Sequence, residues 1–185
     1  KNKNPKIEDK GAKYQMSPHA HRCCQLNRGQ GWPYYAEHLW MATPDNGLAL
    51  VFYSDSKVTA KVGDGTEVSI TESTHYPFDE SIELAVSLPR SREFPLYLRV
   101  PQWCDQAELG INDQPVKVRT KPQSFLRIDR EWKNGDIVKL KLPMQLSVRT
   151  WGRNANSVSV DRGPLTYSLK IAEKYVPIDG AIATS

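Results

Sequence analysis

The sequence predicts a mainly β chain, a β-sandwich or jelly roll, preceded by one helix. Three observations carry that prediction. Past Gly47 the chain breaks into about ten short segments of strand length. Turn-forming residues separate them at intervals of roughly 8 to 12 residues. Ahead of Gly47 a single stretch carries apolar side chains at helical period.

Taken in order, Lys1 to Pro18 is polar and reads as loop or extended chain. Trp32, Tyr35, Ala36, Leu39 and Trp40 then recur at the spacing of one helix face. Gly31 precedes that stripe, and Pro33 suits a first helical turn, where its missing N–H does no harm. "TPDNG" at Thr43 to Gly47 stops it, because the residue before a proline avoids helical angles. So aromatic a stripe requires a large apolar partner, as the last helix of a larger helical domain would have. "GLALVFY" is a continuous apolar run, and "KVTAKV" and "TEVSITEST" flank a hairpin signal at Gly63-Asp64-Gly65. "SIELAVSL" and "FPLYLRV" alternate with period two. "AELGINDQPVKV" turns at Asn112-Asp113, and "SFLRIDREWKNGDIVKLKL" at Asn134-Gly135. "QLSVRTW", "NSVSV" and "GPLTYSLKI" complete the series.

With 185 residues and a formal charge of +4, the chain has the size of one ordinary domain or one domain plus pieces of its neighbours. No run reaches the roughly 18 apolar residues of a membrane span, so no membrane partner is expected. Basic residues alternate with apolar ones in "REFPLYLRV" and "VKVRTK", which places them on the wet faces of strands. Nucleic-acid binding, which uses clustered basic patches, is not expected. No apolar signal segment is visible, and the absence of an initiating methionine suggests a chain cut from something longer. Three cysteines are an odd number without a disulfide framework, so they do not fix the compartment; the periplasm or the exterior is slightly favoured.

The candidate chemistry centres on the neighbours Cys23 and Cys24 in "HAHRCC". Two thiolates suit zinc, and zinc keeps sulfur deprotonated near neutral pH. The usual CxxC or HxxxH ligand spacings are missing, so from the residues alone two buried, inert small residues are the simpler reading. A structural site that adds His19 and His21 is a third. Cys104 reads as a buried or edge thiol. His38 reads as a helix residue and His75 as a loop residue. Glu37, Glu67, Glu72, Glu83, Glu93 and Glu131 are the available carboxylates for acid/base work. None is marked by its neighbours as buried or paired, and no acid/base is named. Trp103, Trp132 and Trp151 suit sugar stacking, although core packing is the simpler reading.

Several of these segments together resemble one family. "CCQLN" ahead of an aromatic helix is similar to the "CC-x-x-N" segment of the β-L-arabinofuranosidase-like glycoside hydrolases, family 127 and relatives. "LYLRVPQWC", "LGINDQPV", "FLRIDREWKNGDIVKLKLPM" and "VSVDRGPLTYSLK" resemble their β region in the same order, so the likeness runs from about His21 to Lys170. The resemblance implies an (α/α)6 barrel followed by β-sandwich domains. Residues 1–42 would be the tail of the catalytic barrel, 43–150 a sandwich and 151–185 the start of a second β region. It implies Cys23 as nucleophile and both Cys23 and Cys24 as zinc ligands. The remaining ligands and the acid/base would come from an upstream barrel segment, and the substrate would be a carbohydrate. Attack by the thiolate on the anomeric carbon would give a thioglycosyl intermediate, and activated water would then release the sugar with retention. Gln25 and Leu26 replace the two prolines of the family's common "CCPPN" form. The chain by itself is expected to be inactive; the alternative reading is a non-catalytic β-sandwich that binds carbohydrate or supports a partner domain.

Overall fold

The computed structural model describes residues 23–171; within its helix the side chains of residues 23–26 and 28 are not among those described. Two compact units are present, one ending at His38 and the other beginning at Leu39.

The first unit contributes helix α1, Cys23–Glu37. It starts earlier and stops earlier than the aromatic spacing predicts. Gly31 and Pro33 lie inside it, and Leu39 and Trp40 lie beyond it. Trp40 instead joins a strand, where ladder bonds to Leu50 satisfy its backbone. The apolar spacing therefore spans two kinds of element. Trp32 and Tyr34 are exposed, and Trp32 meets Tyr35 edge to face with ring centroids 6.1 Å apart.

The second unit is all β among the described residues. Two strands open it, β1 (Trp40–Ala42) and β2 (Leu48–Leu50), and the hairpin β3 (Ser56–Val62) and β4 (Thr66–Thr74) follows. Then come β5 (Ser81–Ser87), β6 (Arg92–Val100), β7 (Glu108–Ile111), β8 (Gln114–Val116), β9 (Ser124–Trp132) and β10 (Ile137–Lys141). The first sheet has the order β1-β2-β6-β9, with β2 parallel to β6. The second has the order β3-β4-β5-β10-β7-β8 and is antiparallel throughout. Period-two alternation directs one face of each sheet inward. Leu48, Leu50, Phe94, Leu96, Leu98 and Trp132 of the first sheet share one core with Val68, Ile70, Ile82, Leu84, Val138 and Leu140 of the second. Each such side chain contributes roughly 1.5–3 kcal/mol on burial, which is why the alternation sets the register.

Asn112-Asp113 makes the tight hairpin its sequence predicts, with φ of 51° and 61°. Asn134-Gly135 also turns, but it does not join paired neighbours. β9 pairs with β6 in the first sheet, whereas β10 pairs with β5 and β7 in the second. The turn therefore carries the chain from one layer to the other.

A third sheet, β11 (Leu146–Trp151), β12 (Ser157–Arg162) and β13 (Leu165–Tyr167), follows as an antiparallel meander. Glu80 ties it to the sandwich: its Oε1 accepts the Met144 N–H at 2.9 Å and Arg162 Nη2 at 3.2 Å.

Candidate functional site

Cys23 and Cys24 open α1, ahead of the Asn27 that completes the double-cysteine segment. Their side chains, and all of His19 and His21, lie outside the described residues. The donor chemistry is that of two thiols on consecutive residues, half of a tetrahedral zinc set. Among the described residues no group of three or more His, Cys, Asp and Glu stands close enough to hold a metal. The pair fits zinc in kind and leaves two positions to other donors.

The remaining candidates separate by burial. Cys104 is fully buried, and burial pushes its thiol up, which makes it a poor nucleophile. His38 sits just past the helix, with Nδ1 2.7 Å from the Tyr34 carbonyl oxygen, and faces solvent. His75 is exposed in the loop after β4, where its carbonyl accepts the Phe78 N–H. Trp132 is the core tryptophan, its indole N–H donating to the Phe94 carbonyl at 2.9 Å. Trp103 packs against the core with part of its ring exposed. Trp151 departs from the core reading: it is 47% exposed on β11, with the Arg149 guanidinium 4.5 Å from its ring centre. Every residue of β11 is exposed, so this strand offers no core position, and the cation stands over the ring.

Of the six candidate glutamates named above, five are exposed; Glu72 is only 2% exposed. It follows Val68 and Ile70 on the inward face of β4. That phase is visible in "VSITE", where the carboxylate occupies the next apolar position, and it is the signal that marks Glu72 as buried. Its oxygens accept Ser56 Oγ–H at 2.7 Å and the Ser54 N–H at 3.1 Å. Ser56 in turn accepts the Trp40 indole N–H at 3.0 Å. Burial pushes the Glu72 carboxyl up to about 7, against the pull of these hydrogen bonds. The neighbouring Tyr53 phenol is raised well above its ordinary value by burial and then by the Glu72 charge, and its hydroxyl donates to the Arg99 carbonyl. A carboxyl that titrates near neutrality has the proton affinity of a general acid. This one is enclosed by strands, however, and an acid/base must reach the bond it protonates. Glu72 is a structural carboxyl.

Among the described residues Asp136 is the other buried carboxylate, in the turn that crosses between layers. Burial pushes it up, but Asn112 Nδ2–H at 2.8 Å, the Lys133 N–H at 2.9 Å and the Arg130 charge together hold it below the usual range.

Comparison with known proteins places this fold. No curated protein matches the chain. Among solved structures, it resembles a GH127 β-L-arabinofuranosidase from Geobacillus stearothermophilus T6, with 32% identity and a TM-score of 0.69 over 78% of this chain and 23% of that one. It also resembles a glycoside hydrolase at 25% identity and a TM-score of 0.71, over 86% of this chain and 28% of the other. A GH127 β-arabinofuranosidase shares the fold at 22% identity and a TM-score of 0.68, over 78% of this chain and 25% of that one. The chain thus spans about a quarter of the length of the solved relatives it matches. The model of the "Beta-L-arabinofuranosidase, GH127 middle domain" family matches residues 47–144, the stretch from β2 through β10 that forms the two facing sheets. With more than half its length covered by that match, the chain belongs to the GH127 β-L-arabinofuranosidase family through its middle domain.

Proposed function

We propose that this chain is the C-terminal part of a retaining glycoside hydrolase acting on β-L-arabinofuranosides, with Cys23 as nucleophile and Cys24 beside it as a zinc ligand. The observation that carries the reading is the order of two features. The GH127 middle domain occupies residues 47–144, and a "CC-x-x-N" segment stands immediately ahead of it at the start of a helix. Residues 1–42 then belong to a catalytic barrel whose other segments supply the acid/base and the missing zinc donors. Residues 43–150 are its sandwich, and 151 onward begins a further β region.

Zinc, when bound to Cys23 and Cys24, keeps their sulfurs as thiolates at neutral pH. The Cys23 sulfur supplies the electron pair that forms the C–S bond as the glycosidic C–O bond breaks, and the leaving oxygen takes its proton from the acid/base. Water, giving its proton back to the acid/base, then displaces the sulfur, restoring the thiolate and the original anomeric configuration. Gln25 and Leu26 follow the pair. They leave this segment with two more backbone N–H groups and more rotational freedom than prolines would.

The test is made on the whole protein. Native mass spectrometry is expected to show one zinc per chain, lost in Cys24→Ser, and Cys23→Ser is expected to abolish release from an aryl β-L-arabinofuranoside. A metal-free native protein, or hydrolysis that survives Cys23→Ser, overturns the reading.

A further inference from the structure

A cavity of about 450 Å3 opens on the sandwich where the loop after β6 meets the chain leaving β10; Trp103, Asp105, Gln106, Glu108, Pro143 and Gln145 line it. Trp103 is held by the core on one side, so its ring is fixed before any ligand arrives. Cys104, next to it, is fully buried, and its N–H bonds the Pro101 carbonyl at 3.1 Å, which pins the loop. Among the described residues, the side chains of Trp103, Asp105, Gln106 and Gln145 make no hydrogen bond or ion pair within the chain. Glu108 is shared with Lys141, 3.3 Å away. The cavity therefore joins a rigid aromatic ring to an indole N–H, two amides and a carboxylate whose hydrogen-bonding capacity is unspent.

Three ligand classes can be compared with that lining. A divalent cation needs a cluster of acidic or His/Cys donors, and none of three or more exists among the described residues. A phosphate or other anion would face two carboxylates with one lysine already paired. A neutral sugar fits: its C–H face packs on the indole, and carboxylate and amide groups bind vicinal hydroxyls as paired acceptors and donors. The volume lies within the range of small-molecule sites and accommodates one or two sugar rings.

We propose that this cavity is a carbohydrate-binding site for neutral mono- and disaccharides, with neither Cys23 nor Cys24 in its lining. Trp103 is the platform, and Asp105, Gln106 and Gln145 are the hydroxyl ligands. The inference does not rest on the glycosidase reading, because no cysteine takes part in it.

The 185-residue chain is titrated calorimetrically with L-arabinose, D-galactose and xylobiose, and with D-glucuronate as the charged comparison. At least one neutral sugar is expected to bind saturably in the millimolar range, with glucuronate at least about tenfold weaker. Asp105→Ala and Gln145→Ala, both at exposed positions, are expected to weaken binding about tenfold without moving the unfolding midpoint. Trp103→Ala is expected to abolish it, and Cys23→Ser to leave it unchanged. Absence of saturable binding up to about 50 mM overturns the proposal. So does binding that survives Asp105→Ala and Gln145→Ala, equal binding of glucuronate, or loss of binding in Cys23→Ser.

Discussion

Ser56 and Glu72 face each other across the β3–β4 ladder as direct partners, and the serine hydroxyl donates to the carboxylate at 2.7 Å inside the sandwich. One hydroxyl and one backbone N–H do not replace the water a carboxylate loses at 2% exposure, so the neutral form gains.

That imbalance makes stability depend on pH. The Glu72 carboxyl titrates at an ordinary 4.5 in the unfolded chain and at about 7 in the folded one. Below 4.5 both states hold the proton and the burial costs little. As pH rises from 4.5 to about 7 the unfolded chain releases its proton first, so stability falls, by on the order of 3 kcal/mol. Glu72→Gln should remove this slope. Urea midpoints at about pH 5 and pH 8 are expected to differ in the native chain and to converge in the variant, with the variant the more stable at the higher pH. Parallel slopes in the two proteins would contradict the assignment.

Asn112 holds two turns at once. Its Nδ2 donates to Asp136 Oδ1 at 2.8 Å, and its Oδ1 accepts the Ile137 N–H at 2.9 Å. Asn112→Asp removes the first donor and sets a second carboxylate against a buried one. A loss of roughly 2–4 kcal/mol is expected at neutral pH. The deficit should shrink as the pair is protonated below about pH 4, readable from denaturant midpoints at both pH values.

Gly47 is required for space. A Cβ there would stand 2.2 Å from the Pro95 carbonyl oxygen, a backbone atom of the central strand β6. Gly47→Ala must push β2 away from β6, which should cost about 1–3 kcal/mol and broaden the thermal transition. An unchanged melting temperature would show that the two strands separate freely.

The third sheet depends on Glu80. Glu80→Ala leaves the Met144 N–H and the Arg162 guanidinium without their acceptor. Faster amide exchange across β11–β13 is expected, with exchange in β4–β6 unaltered. Uniform acceleration throughout the chain would show that the tie holds the whole unit together.

Much of this protein was legible in its residues taken alone. Period-two alternation in "SIELAVSL" and "FPLYLRV" produced β5 and β6, and Gly63-Asp64-Gly65 and Asn112-Asp113 produced their hairpins, because these are local preferences of backbone and burial. The ordered β segments also pointed to the family. Tertiary structure decided what local preference leaves open. Trp40 is helical by spacing but becomes a strand, since the edge of the first sheet offers it ladder bonds. Asn134-Gly135 has the composition of a hairpin turn but crosses between layers, because β10 finds its partners in β5 and β7. Glu72 acquired its raised proton affinity only when two sheets closed over it. Each of these outcomes depends on residues far apart in the chain, and the free energy of burying them together exceeds the few tenths of a kcal/mol by which a local sequence prefers one conformation.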